Sequence, residues 1–263
     1  MDLGLRASVA VVVGGASGIG RAIATAFIAE QAKVAVLDVS PNTPAIATQL
    51  GGEGWVADIT DYAALKTAVA DIRFLFGRVD HVVFAAGVGS GKFGFPFWQL
   101  EPTDWDRVLR VNLIGAANVA HAFAPFLAQQ RHGTMLFLAS VAGQIGSQTD
   151  PPYSASKAGL INFAQCAAKD LAPYGVRVNS LCPGMVQTPL NRSVWQAWAH
   201  RQPPELRQDY ETWAAEKIAK LVPLNRWQTP EDIAAMAVFL ASDRAANVTG
   251  QTVNVDGGYV MHW

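Results

Sequence analysis

The sequence has no excess of charge of either sign: twenty Lys and Arg stand against twenty-one Asp and Glu in 263 residues. Without a basic stripe there is no electrostatic footprint for a phosphate backbone, so nucleic acid is excluded as a partner. Cysteine is scarce. Cys166 and Cys182 form no CxxC and lie inside apolar periodic segments, which reads as two small core hydrophobes in a reduced compartment. The five histidines show no paired ligand spacing, so no metal site is expected. No uncharged apolar run reaches the roughly 20 residues that span a bilayer, and the start Met1-Asp2-Leu3-Gly4-Leu5-Arg6 lacks signal-peptide architecture. A cytoplasmic protein that touches no membrane is expected. A Walker loop and a nucleophile elbow are missing too, which argues against nucleotide hydrolysis and acyl transfer.

What is present centres on Tyr153-Ser154-Ala155-Ser156-Lys157, preceded by Ser140. Tyr153 and Lys157 are four apart, so on a helix they share a face one turn apart. The apolar surface from Ala158 to Ala168 makes Tyr153 to Leu171 read as that helix. Ser140 follows the predicted strand Thr134 to Ala139, at a strand's carboxyl end, where parallel sheets place their chemistry. An ammonium beside a phenol favours the phenolate and lowers its pKa. With a serine to hold a substrate oxygen, this outlines a proton-transfer site for an alcohol or a carbonyl.

The amino-terminal half supplies a second constellation. Ala7 to Val13 is a valine-rich run of buried-strand type and leads into Gly14-Gly15-Ala16-Ser17-Gly18-Ile19-Gly20. A helix to about Gln31 follows, then a second strand, Lys33 to Asp38. Strand, glycine turn, helix, strand and acid is the dinucleotide-binding order, with the pyrophosphate at the helix start. Asp38 suits the two ribose hydroxyls of an adenosine and repels a 2′-phosphate. Val39, Ser40 and Ser17 offer no compensating cation, so NAD is expected rather than NADP.

The remaining elements follow the same rhythm. Gly54 to Ala57 is a third strand ending in Asp58-Ile59-Thr60-Asp61, with Asp58 at the adenine edge and Asp61 capping a helix to Phe76. Val79 to Ala85 is a fourth strand, and Ala86-Gly87 turns out of it near the cofactor. The loop Gly89 to Trp98 is rich in glycine and aromatics, including Phe93, which either line a pocket or anchor the loop. A long helix runs from Thr103 toward Gln130 with the polar Asn112 near its middle, where a buried amide needs partners. Val176 to Leu181 leads into Cys182-Pro183-Gly184-Met185-Val186-Gln187-Thr188, at the level of a nicotinamide. Residues 189–228 break the rhythm with Trp195, Trp198, Trp213 and Trp227, and read as two short amphipathic helices forming a substrate lid. Pro230 opens a last helix to about Ala241, and Gly250 to Asp256 is a final strand.

This ordered set resembles the classical short-chain dehydrogenase/reductase family over nearly the whole chain. Gly14-(x)3-Gly18-Ile19-Gly20, Asp38, Asp58, Asn112, Ser140, Tyr153-(x)3-Lys157, Pro183-Gly184 and Val253-Asn254-Val255-Asp256-Gly257-Gly258 carry the resemblance. Two positions depart from the family pattern. Val13 replaces a threonine before the first glycine, and the family's NNAG reads Phe84-Ala85-Ala86-Gly87. The resemblance implies one Rossmann-like domain over 1–263. Its doubly wound parallel sheet of about seven strands has helices on both faces, a three-layer α/β/α sandwich, with 189–228 as the lid.

It further implies a catalytic tetrad of Asn112, Ser140, Tyr153 and Lys157. The implied cofactor contacts fall on Gly14, Ser17, Gly18, Ile19, Gly20, Asp38, Asp58, Ile59, Ala85, Ala86, Gly87, Tyr153, Lys157, Pro183, Gly184, Val186 and Thr188. A homotetramer, or in some members a dimer, is implied through the Asn112 and Tyr153 helices. Ser140, Gln144, Gln148, Tyr153 and Trp195 are the expected substrate contacts. The expected reaction interconverts a secondary alcohol and its ketone with NAD, on an apolar or cyclic small molecule. Polyol or diol oxidation and 3-oxoacyl reduction are alternatives within the family. A catalytically silent NAD-binding regulatory protein is the alternative outside it.

Overall fold

The computed structural model describes residues 2–261; Met1 and the tail residues His262 and Trp263 lie outside the described residues. Seven strands form one parallel sheet in the order β3-β2-β1-β4-β5-β6-β7. They are β1 (Val9–Val13), β2 (Lys33–Asp38), β3 (Glu53–Val56), β4 (His81–Phe84), β5 (Gly133–Leu138), β6 (Val176–Pro183) and β7 (Thr252–Val255). Every residue of β1 is buried, as in a strand covered on both faces.

Helices cover both faces. α1 (Gly18–Ala29), α2 (Thr43–Leu50) and α9 (Pro230–Ala241) pack on one, where Ala10, Val12, Val34 and Val36 meet Ile23, Phe27 and Ile233. α3 (Tyr62–Phe76), α5 (Gly115–Gln130) and α6 (Pro151–Leu171) pack on the other, where Val11, Val13, Phe84 and Phe137 meet Leu65, Phe123 and Leu160. The alternation of strand side chains between faces divides the core into these two layers. The α2 helix was not foreseen in the sequence: it buries only two residues, Thr43 and Ala47.

The predicted helix from Thr103 to Gln130 is three pieces: α4 (Pro102–Leu109), a π-helical turn (Arg110–Ile114) and α5. Together they make 29 residues with a mean hydropathy of 1.4 over the most apolar stretch, long and apolar enough to cross a membrane by length and composition. The charged residues that crowd its first turns hide this in the sequence. In the fold the helix lies on the sheet, with Ala116, Val119, Phe123 and Leu127 buried.

Three local findings refine the expectations. Cys182 is buried as expected, but Cys166 lies exposed on the outward face of α6. Where the family pattern has polar residues, Phe84 of β4 pairs in register with Phe137 of β5, their ring centroids 6.2 Å apart. An aromatic contact links the central strands there. The segment 189–228 holds α7 (Pro189–His200), a short 3-10 turn (Pro204–Leu206) and α8 (Tyr210–Leu221). Its ends are tied where Gln187 N donates to Gln228 O at 3.0 Å.

Candidate active site

The strand order reverses at β1, with β2 on one side and β4 on the other, and a cleft opens outside the carboxyl ends of these strands. Its cavity is about 670 Å³ and runs from Asp38 and Asp58 past the glycine turn to Ser140, Tyr153 and Lys157. Gly14 is indispensable to this geometry. Its φ is +78°, and a Cβ there would stand 2.5 Å from the Ala86 amide nitrogen, so the turn between β1 and α1 admits no side chain.

At the α1 end of the cleft, Ser17 occupies the N-cap position and makes no side-chain capping bond. The first-turn amides therefore remain available to an anion on the positive end of the helix. The Asp38 carboxylate accepts from Ala16 N at 3.0 Å and from Ser40 N at 3.1 Å, which fixes it at the strand end with lone pairs to spare. Val39, Ala57 and Ile59 supply apolar wall on either side of Asp58. Asp58 Oδ1 accepts from Thr60 N and Oγ1, each at 2.8 Å, and Asp61 caps α3 as expected, accepting from Ala63 N and Ala64 N. An anion site, a ribose-sized acceptor and an apolar slot in this order match a dinucleotide.

The other end is built from α6 and β5. One turn apart on α6, Tyr153 and Lys157 converge, the Lys157 Nζ lying 5.5 Å from the Tyr153 ring centroid. Ser140 and Tyr153 line the same cleft, and Ser140 Oγ accepts from Ala142 N at 3.1 Å. Lys157 Nζ donates to the Leu138 carbonyl at 2.6 Å, which uses one of its three donors. Burial holds the Lys157 ammonium down to about 8 and pushes the Tyr153 phenol up to about 12, with Ser140 partly opposing. This reverses the lowered phenol expected from the sequence: desolvation of the phenolate is the largest influence on it.

Asn112 stands behind the cleft wall. It is buried in the π-helical turn, accepts from Val88 N at 2.8 Å, and donates to Val88 O at 2.9 Å and Ser156 Oγ at 3.0 Å. Ser156 in turn donates to the Tyr153 carbonyl at 2.7 Å. The amide thus stitches the chain after β4 to the helix that carries Tyr153. The extra residue of a π turn is what aims it there.

Every expected cofactor-contact residue lines the cleft: Gly14, Ser17, Gly18, Ile19, Gly20, Asp38, Asp58, Ile59, Ala85, Ala86, Gly87, Tyr153, Lys157, Pro183, Gly184, Val186 and Thr188. Thr188 Oγ1 also accepts from Asn191 N at 3.2 Å, capping α7. Three expected substrate contacts are placed elsewhere. The Gln144 amide is paired with Asn254 at 2.7 and 3.0 Å, Gln148 is exposed, and Trp195 donates from Nε1 to Gln208 O at 3.1 Å. The tryptophans of 189–228 gather around Tyr210, with Trp227 at 5.0 Å and Trp195 at 5.6 Å between ring centroids, and form the core of that segment. Of the Gly89 to Trp98 rings, Phe93 alone is on the lining, together with Val111, Leu190, Asn191 and Val194. Asp150, not among the expected site residues, is on it too. Its position three before Tyr153 was the available signal.

A family profile described as enoyl-(acyl carrier protein) reductase matches residues 14–260. The 3-oxoacyl-(acyl-carrier-protein) reductase of Thermotoga maritima is 33% identical, over 98% of this chain and 99% of its own. The chain belongs to the short-chain dehydrogenase/reductase family. It is a nicotinamide-dependent oxidoreductase of that type, with the dinucleotide-binding architecture for NAD(P). Another family member, the D-threitol dehydrogenase of Mycolicibacterium smegmatis, is 34% identical over 99% of this chain and 95% of its own. Among solved structures, the aldohexose dehydrogenase of Thermoplasma acidophilum superposes with a TM-score of 0.87 at 28% identity, covering 98% of this chain and 96% of its own.

Proposed function

We propose that this family member interconverts a secondary alcohol and its ketone with NAD(H), and that Tyr153 is the acid/base. The observation that carries the reading is that Ser140, Tyr153 and Lys157 line one cleft, with Lys157 one helical turn from Tyr153 and its Nζ 5.5 Å from the Tyr153 ring centroid. A bound nicotinamide supplies the hydride acceptor or donor. In oxidation Tyr153 Oη takes the carbinol proton, and in reduction it returns it to the carbonyl oxygen. Ser140 Oγ holds that oxygen against the phenol. Lys157 gives one N–H to Leu138 and its others would hold the ribose hydroxyls of the nicotinamide half, while Asn112 positions α6 through Ser156 and Val88.

NAD rather than NADP rests on Asp38 and its surroundings. The lining at that end, Ser17, Val39 and Asp58, includes no Lys or Arg to neutralise a 2′-phosphate. Residues 189–228 serve as a lid on a single-domain scaffold, their tryptophans giving the cover its own core. An assembly through α5 and α6, as a tetramer or dimer, is supported by the exposed Ile114 at the head of α5 and by Ala155, Ala158 and Cys166 on the outer face of α6. The names of the relatives favour two substrate families, 3-oxoacyl groups and polyols.

The test is turnover, followed by absorbance of the reduced nicotinamide, on a panel of secondary alcohols and ketones with each cofactor. The reading expects turnover with NAD(H) preferred. Tight NADH binding with no turnover on any member would leave a binding protein without catalysis and sink the reading.

A further inference from the structure

Asp150 is 4% exposed, yet it lines the cleft, and its Oδ1 has no hydrogen-bond partner in the protein. Its Oδ2 accepts from Ser90 N at 2.9 Å. Among the described residues, the other buried side-chain atoms without partners are hydroxyl, indole or amide atoms, and none of their residues lines the cleft. An unpaired buried carboxylate oxygen costs far more than any of these, because the solvation it loses is that of a charge.

The local sequence explains how it stays unpaired. Asp150 holds the N-cap position of α6, where an aspartate ordinarily accepts from first-turn amides. Here the first two helical residues are Pro151 and Pro152, which carry no N–H, and the carboxylate makes no capping bond. It turns instead between the loop after β4 and the cleft. Gly89 makes the room: a Cβ there would stand 2.8 Å from Asp150 Oδ2 and 2.6 Å from the Phe93 ring. The other lining cations and acids do not satisfy it, since neither Arg107 nor Lys157 pairs with it. Burial raises the pKa of this carboxyl, with the Ser90 bond partly opposing. A hydroxyl suits it in either form, as donor to the carboxylate or acceptor from the acid.

We infer that Asp150 is a specificity-determining residue that binds a second hydroxyl of the substrate, so that the preferred substrates are diols and longer polyols rather than monohydric alcohols. This deepens the alcohol–ketone reading above and rests on it. The opposite wall agrees: Asn191, on the lining, is oriented by Tyr210, whose hydroxyl donates to its Oδ1 at 2.8 Å. The tryptophan rings expected to select an apolar or cyclic molecule pack within the lid instead.

The experiment compares butane-2,3-diol, as each stereoisomer, with butan-2-ol in the full-length protein with NAD, and repeats both with Asp150→Asn. The amide keeps an acceptor for Ser90 N and removes the charge. Wild type should favour the best diol in kcat/KM by on the order of 10–100-fold, the range for a hydrogen bond to a charged group. Asp150→Asn should shrink that ratio by about tenfold, through a larger loss on the diol. Equal kcat/KM for diol and monohydric alcohol in wild type would overturn the proposal while leaving the alcohol–ketone reading intact, and this comparison stands even where the variant fails to fold. An unchanged ratio in a folded Asp150→Asn protein would also overturn it. No turnover of either alcohol, or of their ketones, with either cofactor would remove both.

Discussion

The two ends of the sheet both bury charge, and they treat it differently. At the amino-terminal edge a depression of about 230 Å³ is lined by Arg6, Arg78, Asp80, His81, His132 and Asp243. Its buried groups are saturated by the chain. Asp80 accepts from Val9 N at 2.8 Å and pairs with Arg78, and His81 Nδ1 is bonded with Thr134 Oγ1 at 2.9 Å. At the carboxyl-terminal edge valences stay open: the uncapped start of α1, the remaining lone pairs of Asp38, the Tyr153 phenol and Asp150 Oδ1. At the amino-terminal edge Asp80 and His81 are bonded within the chain, whereas on the cleft lining several polar groups stay open and the fold bears their desolvation.

Substitutions at the two edges should therefore separate activity from stability. The largest effect is expected for Tyr153→Phe, with kcat down on the order of 10²–10⁴-fold. NADH affinity, by fluorescence titration, and the melting temperature should stay near wild type. Since burial pushes the phenol to about 12, oxidation by wild type should speed up as pH rises from about 7 to about 10, while reduction, which needs the protonated phenol, should not. A flat oxidation profile would point to another base.

At the opposite edge, Asp80→Ala should cost about 1–3 kcal/mol in denaturant unfolding, because it orphans the buried Val9 amide while the Arg78 side chain is left to solvent. The kcat per folded molecule should hold. A comparable loss of kcat would show that the edges are coupled.

His81 tests the same edge by pH. Burial lowers its pKa from 6.5 to about 4, with Asp80 opposing. A lowered folded-state value contributes stability in full above 6.5, and that contribution is lost as pH falls through 4. The loss is on the order of 3 kcal/mol across that window, and His81→Gln should flatten it in acid unfolding curves. The smallest effect is expected at Asp38, where Asp38→Ala should shift the NAD over NADP ratio of kcat/KM by about tenfold toward NADP. A wild type that already prefers NADP would reject the argument from charge.

Much of the carboxyl edge was legible because its signals are local. The glycine turn, β2 ending at Asp38, and the Tyr153–Lys157 spacing each need only a few adjacent residues to be read, and β2 and α3 fall where periodicity placed their ends. What escaped was set by distant partners. Gln144 looked free to meet a substrate until Asn254, 110 residues away, claimed it. Trp195 looked suited to a substrate contact, and packing on Tyr210 placed it in the core of its own segment. The direction of the Tyr153 shift also escaped, since spacing reveals the ammonium beside it and not the depth at which both are buried.

Residue order alone carried the alternation of strand and helix, the cofactor turn and the Tyr153–Lys157 spacing, because hydrophobic period and short spacing are properties of neighbouring residues. Folding decided which polar atoms remained unspent. Whether a carboxylate such as Asp150 is quenched or left open depends on groups brought from Ser90, Gly89 and Phe93, far back along the chain, and only the assembled sheet puts them beside it.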